Sequence, residues 1–216
     1  MKKKDCTHLS NTCCICDEIA TRIFTYDYYG TPDRILFESN DFVVFPSLSP
    51  LVEGHLLIFS KRHVPNMMSL EDNALERLIG IVRFIAARLR SKYGNILIFE
   101  HGSKEGSAPA CGIGHAHVHL LPLDRRIIDG LFKKIISEYP SHKENSIENI
   151  YTEGSSEQQY LLVSDDSTKK TLLIEENIPS QFMRKEIAKM IGTEYWDWRN
   201  ISGYGLFRST LSSLKD

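Results

Sequence analysis

The residues most able to do chemistry are three histidines at alternate positions, His115, His117 and His119. In an extended strand, alternate side chains project from the same face, about 7 Å apart. The residues between them, Ala116 and Val118, then face the other side and can enter a core. Burying three imidazoles together costs desolvation without a clear structural return, so the spacing predicts a functional row.

Two chemistries suit this row. Neutral imidazoles ligate zinc, and alternate positions of a strand can converge on one ion. Alternatively, one imidazole attacks phosphorus or carbon while its neighbours bind the charged group. The surrounding residues are needed to choose between the two.

A loop of small residues, 106–114, leads directly into the row. Glycines let backbone N–H groups approach an anion closely, as they do in phosphate-binding loops. Taken alone, the loop is equally compatible with an ordinary flexible turn. Beside the histidines it favours phosphate binding, and it makes Ser107 and Gly112 candidate substrate-binding residues.

The run from His115 to Pro122 resembles the histidine triad (HIT) motif of nucleotidyl hydrolases and transferases. Two earlier segments resemble the same family in the same order. They are Leu48-Ser49-Pro50, and Gly54-His55 followed by an apolar strand and Lys61-Arg62-His63. The resemblance covers residues 13–124, and three separated motifs in the right order make it specific.

Cys13-x-x-Cys16 has a chelate spacing that can supply two thiolates to a tetrahedral zinc. In the zinc-bearing branch of the superfamily, the other two ligands are the histidine ending the Lys-x-His segment and the first histidine of the triad. The resemblance therefore implies a structural zinc held by Cys13, Cys16, His63 and His115. The alternative is a reduced pair of cysteines without metal.

The resemblance implies catalytic roles for the other two histidines of the row. His117 becomes the nucleophile, whose attack on an α-phosphorus gives a covalent nucleotidyl-histidine. A backbone carbonyl that accepts from its Nδ1–H would keep Nε2 unprotonated for attack. His119 is implied to stabilise charge on the phosphate and to help the leaving group depart. Gly112 and its neighbours are expected to donate backbone N–H groups to the same oxygens.

Two further histidines lie near the row, and other residues there depart from the pattern of the family. His55 fits a structural hydrogen-bonding role better than a catalytic one, and His101 is either a polar loop residue or a group that approaches the leaving group. Ser47 stands where family members often carry an acid that holds the ribose hydroxyls. Cys111-Gly112 stands where Gln-Ser is common. These departures indicate a substrate or leaving group different from the commonest purine nucleotides.

The composition is that of a compact enzyme without a strong charge bias. The chain has 216 residues, 42% of them hydrophobic, which is enough for one domain with an appendage. A formal net charge of -2 does not favour nucleic acid or an anionic membrane as a partner. No apolar stretch follows the basic run Lys2-Lys3-Lys4, and no window reaches the length of a membrane span. We therefore expect a cytoplasmic protein without nucleic-acid or membrane partners.

Apolar patterning predicts five strands and one long helix within residues 13–124. The strands are a hairpin of 34–38 with 41–45, followed by 55–59, 95–99 and 115–121. The helix runs for about 20 residues from Ser69 and ends near Tyr93-Gly94. This order predicts the α+β class with a five-stranded antiparallel sheet, the fold that the resemblance also implies. Many family members pair through the long helix and a central strand, so the resemblance also implies a homodimer.

Residues 125–216 are predicted to form a C-terminal extension packed on a HIT core at 13–124, and residues 1–12 a disordered tail. The expected elements are a helix over 127–139, a loop over 141–146, strands over 160–163 and 170–174, and a helix over 180–190. Longer bacterial members carry a similar tail, and its motifs are Gln181-x-x-Arg184 and Trp196-Asp197-Trp198-Arg199 here. The tryptophans are expected to pack on the core. Arg184, Lys185 and Arg199 either hold distal phosphates or form surface pairs.

The sequence therefore predicts a zinc-containing enzyme that hydrolyses nucleotide phosphoanhydrides or phosphoramidates through a nucleotidyl-His117 intermediate. Dinucleoside polyphosphates and adenylated small molecules are the leading substrates. A nucleotidyltransferase or phosphorylase would use the same intermediate with another acceptor. The residues also allow a non-catalytic nucleotide-binding module or a hydrolytic three-histidine metal site.

Overall fold

The computed structural model describes residues 13–23, 34–200 and 203–215. The predicted tail at residues 1–12 lies outside these ranges. The strands are β1 (Phe37–Glu38), β2 (Phe42–Pro46), β3 (Leu56–Ser60), β4 (Ile96–Gly102), β5 (His117–Pro122), β6 (Lys143–Asn145), β7 (Tyr160–Asp165) and β8 (Lys170–Ile174). The helices are α1 (Cys14–Thr21), α2 (Asp72–Tyr93), α3 (Arg125–Glu138), α4 (Ile147–Glu153), α5 (Phe182–Ile191) and α6 (Tyr204–Leu214), with short 3-10 turns at Met67–Ser69 and Trp198–Asn200.

The strands form one eight-stranded sheet in the order β1-β2-β3-β5-β4-β7-β8-β6. Every neighbouring pair is antiparallel. The predicted α+β class with an antiparallel sheet is therefore confirmed. The strand that carries His117 and His119, β5, lies between β3 and β4, so it is fixed by backbone hydrogen bonds on both sides.

The two faces of β5 have different surroundings. One face packs under α2, in a core that includes Val118, Leu120, Leu78, Val82 and Leu89. The other face carries His117 and His119 between two smaller apolar clusters. One cluster contains Phe99 with residues of α3 and α5, and the other contains Phe59 with residues of α1. The period of two in the sequence thus separates imidazoles from core residues as predicted.

Helix α2 confirms the predicted amphipathic helix, with a later start. Its first residue is Asp72, because Met67–Ser69 forms a 3-10 turn before it. The helix ends at Tyr93, and Gly94 follows with φ +91. Each fully buried leucine or isoleucine on its inner face contributes about 1.5–3 kcal/mol to folding. Neither this helix nor another in the described ranges combines the length and apolar character that crossing a bilayer requires.

The C-terminal part continues the sheet rather than forming a separate layer. The predicted hairpin is present as β7 and β8, and β7 pairs along the free side of β4. The predicted helices are present as α3 and α5. The predicted loop over 141–146 was wrong in part, because Lys143–Asn145 pairs with β8 as the exposed edge strand β6. An exposed edge strand can pair through its backbone without burying an apolar face, so β6 shows no apolar alternation.

The pairing of β7 with β4 bears on the expected homodimer. Strand β4 has neighbours on both sides within the same chain, and α4 packs against α2. The central strand and part of the long helix are therefore covered by the chain's own C-terminal part. Two chains could pair through these surfaces only by displacing that part.

Candidate active site

Four predicted metal ligands converge at one end of the histidine row. Cys13 precedes α1 and Cys16 lies in its first turn, while His63 follows β3 and His115 precedes β5. His115 thus lies just before the strand, although the sequence placed it inside. The Nδ1 atom of His115 lies 3.4 Å from Sγ of Cys13, 3.6 Å from Sγ of Cys16 and 3.3 Å from Nδ1 of His63.

The orientation of His115 suits metal ligation. Its Nε2–H donates to the carbonyl oxygen of Ser60 at 2.6 Å, which leaves the lone pair of Nδ1 pointing at the cysteines. Ligands of a tetrahedral zinc at the usual bond lengths lie about 3.3–3.7 Å from one another. The observed separations have this size, and all four ligand atoms lie within 4.8 Å of one another. Cys14 is buried in the apolar cluster of α1 and does not belong to this group.

His117 is held in a single tautomer. Its Nδ1–H donates to the carbonyl oxygen of His115 at 2.8 Å, so Nε2 carries the lone pair. Burial lowers the pKa of His117 to about 4, which keeps the ring neutral. Phe59 stacks on the ring with centroids 5.1 Å apart. The hydrogen bond that was expected from the sequence is therefore present.

His119 is oriented by His55 rather than by a carboxylate. The Leu51 N–H donates to Nδ1 of His55 at 3.2 Å, so the proton of His55 is on Nε2. That Nε2–H donates to Nδ1 of His119 at 3.0 Å. His119 then carries its own proton on Nε2, which is buried and has no hydrogen-bond partner among the described residues. Burial lowers the pKa of both rings well below the usual value, so both are neutral.

His117 and His119 open onto one cavity. Their ring centroids are 4.9 Å apart, and both residues are buried in this conformation. The cavity is lined by Ile15, Arg34, Ser47, Leu48, Ser49, Leu57, Phe59, Cys111, Ile113, His117, His119, Arg184 and Trp198. Cys111, His117 and His119 form a second group with ligand atoms within 4.8 Å. Burial raises the pKa of the Cys111 thiol to about 12, so it is protonated at neutral pH.

The small-residue loop contributes differently than predicted. Gly112 has φ +79, and its N–H donates to the carbonyl oxygen of Pro109 at 3.2 Å. This amide closes a turn, so in this conformation it is not a free donor for phosphate oxygens. Ser107 donates to the carbonyl oxygen of Lys104 at 2.6 Å and does not line the cavity.

His101 also lies outside the cavity lining. Its Nε2 accepts from the Gln159 amide at 2.9 Å, and the same amide donates to the Ile178 carbonyl oxygen. Burial lowers the pKa of His101 to about 4. Of the four predicted substrate-binding residues, Ser47 is the one that lines the cavity.

The C-terminal part adds two residues to the cavity: Arg184, whose role the sequence left undecided, and Trp198, which was expected to pack on the core. Arg184 lies in the first turn of α5 and Trp198 in the turn that follows, and both line the cavity. A Cβ atom on Gly112 would lie 2.9 Å from Nε1 of Trp198. Arg199 instead pairs with Asp197, and Lys185 lies over the ring of Trp196 at 5.5 Å. The Gln-x-x-Arg motif was the available signal, but its spacing cannot say which face of the helix meets the cavity.

Comparison with known families matches residues 30–126 to the HIT domain. Residues 30–126 therefore form a HIT domain, the domain that the sequence motifs resemble. It is 29% identical over 110 residues to the nitrilase and fragile histidine triad fusion protein NitFhit of Caenorhabditis elegans. That match covers 51% of this chain and 24% of NitFhit, so the chain corresponds to about a quarter of that relative.

Two further proteins resemble the chain at lower identity. The chain is 22% identical over 130 residues to the asymmetrical bis(5'-nucleosyl)-tetraphosphatase of Schizosaccharomyces pombe, covering 60% of this chain and 70% of that protein. A solved structure of a hypothetical histidine triad nucleotide-binding protein from Sulfolobus tokodaii has 21% identity and a TM-score of 0.42. The match covers 52% of this chain and 70% of that protein. One of these similar proteins, the tetraphosphatase, is thus named for nucleotide hydrolysis.

Proposed function

We propose that this protein cleaves a nucleotide phosphoanhydride or phosphoramidate through a nucleotidyl group bonded to Nε2 of His117. The observation that carries the proposal is the pair of tautomers at the cavity. The carbonyl oxygen of His115 leaves Nε2 of His117 with its lone pair, and His55 leaves Nε2 of His119 with its proton. A nucleophile and a hydrogen-bond donor thus face one cavity, which suits attack on a phosphoryl group.

His117, His119 and one water molecule account for each bond that forms and breaks in the proposed reaction. The Nε2 lone pair of His117 forms a bond to the α-phosphorus, and the bond from phosphorus to the leaving oxygen or nitrogen breaks. The Nδ1–H of His117 continues to donate to the carbonyl oxygen of His115, and this hydrogen bond stabilises the positive ring of the adduct. His119 donates its Nε2–H towards the leaving atom or a non-bridging oxygen. Water then attacks the same phosphorus, the bond from phosphorus to Nε2 of His117 breaks, and the water proton passes to His119 or to solvent. The nucleoside monophosphate is released and His117 is neutral again.

The cysteine and histidine group is proposed as a structural zinc site. Cys13, Cys16, His63 and His115 would hold the ion, as the orientation of His115 and the ligand separations support. A bound zinc would tie α1 to the ends of β3 and β5 and so fix the start of the histidine row. It would not touch substrate, and no step of the reaction passes through it.

Other uses of the same cavity differ in what they require. A phosphorylase or nucleotidyltransferase needs only another acceptor for the His117 adduct. A metal-dependent hydrolase needs His117 and His119 as ligands, for which the proximity of Cys111 is the favourable observation. The buried Arg184 guanidinium in the same cavity disfavours a second cation. We therefore favour covalent catalysis, with dinucleoside polyphosphates as the first substrates to test. The tetraphosphatase relative supports this choice.

The test is a panel of dinucleoside polyphosphates and adenylated phosphoramidates, with products separated by chromatography and the protein examined by mass spectrometry. We expect turnover and a nucleotidyl adduct on the peptide that contains His117. His117→Asn should lower kcat by about 10³-fold or more and remove the adduct. His142→Asn is the matched control, because His142 bonds to the Tyr139 carbonyl oxygen and does not line the cavity.

Added phosphate distinguishes the acceptors, since a phosphorylase releases the nucleoside diphosphate and a hydrolase the monophosphate. Full turnover by His117→Asn would overturn the proposal. Activity that a chelator abolishes while the fold remains intact would instead favour the metal-dependent hydrolase.

A further inference from the structure

Arg184 is a buried cation inside the candidate active site. It is 2% exposed, and it lines the cavity that also contains His117 and His119. Its Nε–H donates to the carbonyl oxygen of Trp196, and its Nη2 donates to the carbonyl oxygen of Ser49, each at 2.8 Å. These two bonds hold the planar guanidinium in one orientation against the catalytic strand.

Among the described residues, no carboxylate lies within ion-pair distance of the Arg184 guanidinium. The other arginine of the cavity, Arg34, instead pairs with the buried Glu18. The charge of Asp197, the residue after Trp196, raises the pKa of Arg184, but its carboxylate accepts hydrogen bonds from Gln181 and Arg199 instead. Burial lowers the pKa of Arg184 to about 10, which still leaves it protonated at neutral pH.

A buried cation that contacts only carbonyl oxygens is costly unless an anion joins it. The guanidinium also suits phosphate oxygens, because its N–H groups form a planar fork that can donate two parallel bonds. The loop amide of Gly112, which the sequence offered for this task, is occupied in a turn. Arg184 therefore supplies the cavity with N–H donors that the backbone of Gly112 does not supply.

We propose that Arg184 binds the non-bridging oxygens of the phosphoryl group that reacts with His117, so that helix α5 is part of the active site. This inference rests on the proposed function and adds a requirement to it. The group at His117 must carry negative charge on phosphorus oxygens, and the C-terminal part must be in place for the site to be complete. In the reaction, Arg184 stabilises charge on these oxygens while His119 serves the leaving atom.

The segment around Arg184 is built to hold it there. The backbone N–H of Gln181 donates to the carbonyl oxygen of Ala110, the residue before Cys111. The side chain of Gln181 donates to Asp197 and accepts from the backbone N–H of Trp198. The start of α5, the loop before the histidine row and the turn at Trp198 are thus joined through one glutamine.

The experiment compares AMP with adenosine, which differ by the phosphate alone. Binding is measured by calorimetry on the full chain with His117→Asn, which prevents turnover. Adding Arg184→Gln should weaken AMP binding by about 10- to 100-fold and leave adenosine binding unchanged. Arg199→Gln is the matched control, since Arg199 belongs to the same segment but pairs with Asp197 outside the cavity lining. It should leave both ligands unaffected.

Arg184 could instead serve only to join the Ser49 and Trp196 carbonyl groups, and the same measurements separate the two roles. If the role of Arg184 were purely structural, its replacement would lower Tm. It would then weaken the binding of AMP and of adenosine to the same extent, or change neither. If Arg184→Gln does not fold, Arg184→Lys keeps the charge without the fork and should weaken AMP binding by about tenfold. In an active enzyme, guanidinium ion should partly restore kcat/KM to Arg184→Ala.

Equal binding of AMP by the Arg184→Gln variant and its parent would overturn the inference, as would a parent protein that binds neither AMP nor inorganic phosphate. The proposed function fails separately. A wild-type protein without turnover or adduct contradicts covalent catalysis, even if AMP binding depends on Arg184. Conversely, normal turnover by Arg184→Gln contradicts only the role of the arginine.

Discussion

Nε2 of His55 lies 3.0 Å from Nδ1 of His119, and this contact determines which nitrogen of His119 faces the cavity. Metal-binding and catalytic imidazoles are commonly oriented by a carboxylate or a carbonyl oxygen. Here a second neutral imidazole does the same, and it is itself oriented by the backbone N–H of Leu51. His55 is therefore a positioning residue, 64 positions away from the group it orients.

Removing this orientation should slow the reaction without weakening substrate binding. In His55→Leu, Nδ1 of His119 loses its donor, so the proton is free to move there and Nε2 no longer donates. We expect kcat to fall about 10- to 100-fold with KM unchanged. Nitrogen NMR of His119 should report the change of tautomer. His55→Gln, whose amide can still donate, should retain more activity, and equal kcat values for the two variants would contradict this role.

The proposed zinc makes a prediction about stability. Cys16→Ser should release about one zinc per chain, measured by elemental analysis, and lower the free energy of unfolding by about 4 kcal/mol or more. Cys111→Ala is the control, because Cys111 is a buried free cysteine outside this group. Its zinc content should equal that of the wild type. A wild-type protein purified without zinc, and indifferent to a chelator in thermal unfolding, would refute the site.

The close approach of Gly112 to Trp198 predicts that Gly112→Ala and Gly106→Ala will have different effects. Gly112→Ala and Gly106→Ala both place a side chain at positive φ, which costs about 1 kcal/mol or more. Only at Gly112 does the added Cβ meet an indole, at 2.9 Å, whereas Gly106 has open space. We expect a tryptophan fluorescence shift and a loss of kcat/KM of about tenfold or more for Gly112→Ala alone. Similar behaviour of the two variants would mean that Trp198 does not constrain the site.

Buried neutral histidines predict a loss of stability in mild acid. Burial lowers the pKa of His101 from 6.5 to about 4, and it lowers the pKa values of His55 and His119 well below 6.5. Below pH 6.5 the unfolded chain takes up protons that the folded chain does not. The free energy of unfolding therefore decreases as the pH is lowered from 6.5 to about 4. Each such histidine adds a slope of about 1.4 kcal/mol per pH unit.

Denaturant unfolding at several pH values measures this slope. We expect full stability above pH 6.5, the unfolded pKa, and progressive loss below it as the unfolded chain protonates. His101→Gln should flatten the curve over that interval, since it removes one of the titrating groups. A stability that rises on acidification would contradict the neutral state of these rings.

The occupied edge of β4 predicts the state of association. Because β7 covers that edge and α4 packs on α2, we expect a monomer of 24.7 kDa in sedimentation or light-scattering measurements. A dimer that persists at low micromolar concentration would contradict this expectation, and it would form either through another surface or by exchange of a segment between chains. Exchange of the β7–β8 hairpin between chains would give such a dimer, and crosslinks between β4 and β7 of different chains would detect it.

Much of the site follows from local sequence. The period of two in the histidine row requires His117 and His119 to share a face once the segment is extended, whatever surrounds it. The two cysteines are brought together by one helical turn of α1. The apolar spacing of α2 also requires one buried face, because a helix repeats every 3.6 residues. These features depend on residues a few positions apart, which is why the sequence alone determines them.

The contacts between distant segments of the chain were decided by the tertiary structure. The partners of His119 and Arg184 are His55 and the Ser49 carbonyl oxygen, and neither pairing leaves a periodic signal in the sequence. Strand β6 and the pairing of β7 with β4 depend on backbone hydrogen bonds, which any residue except proline can donate. The sequence therefore determined the reactive groups and the local elements. Packing alone decided which nitrogen faces the cavity and which cation lies beside it.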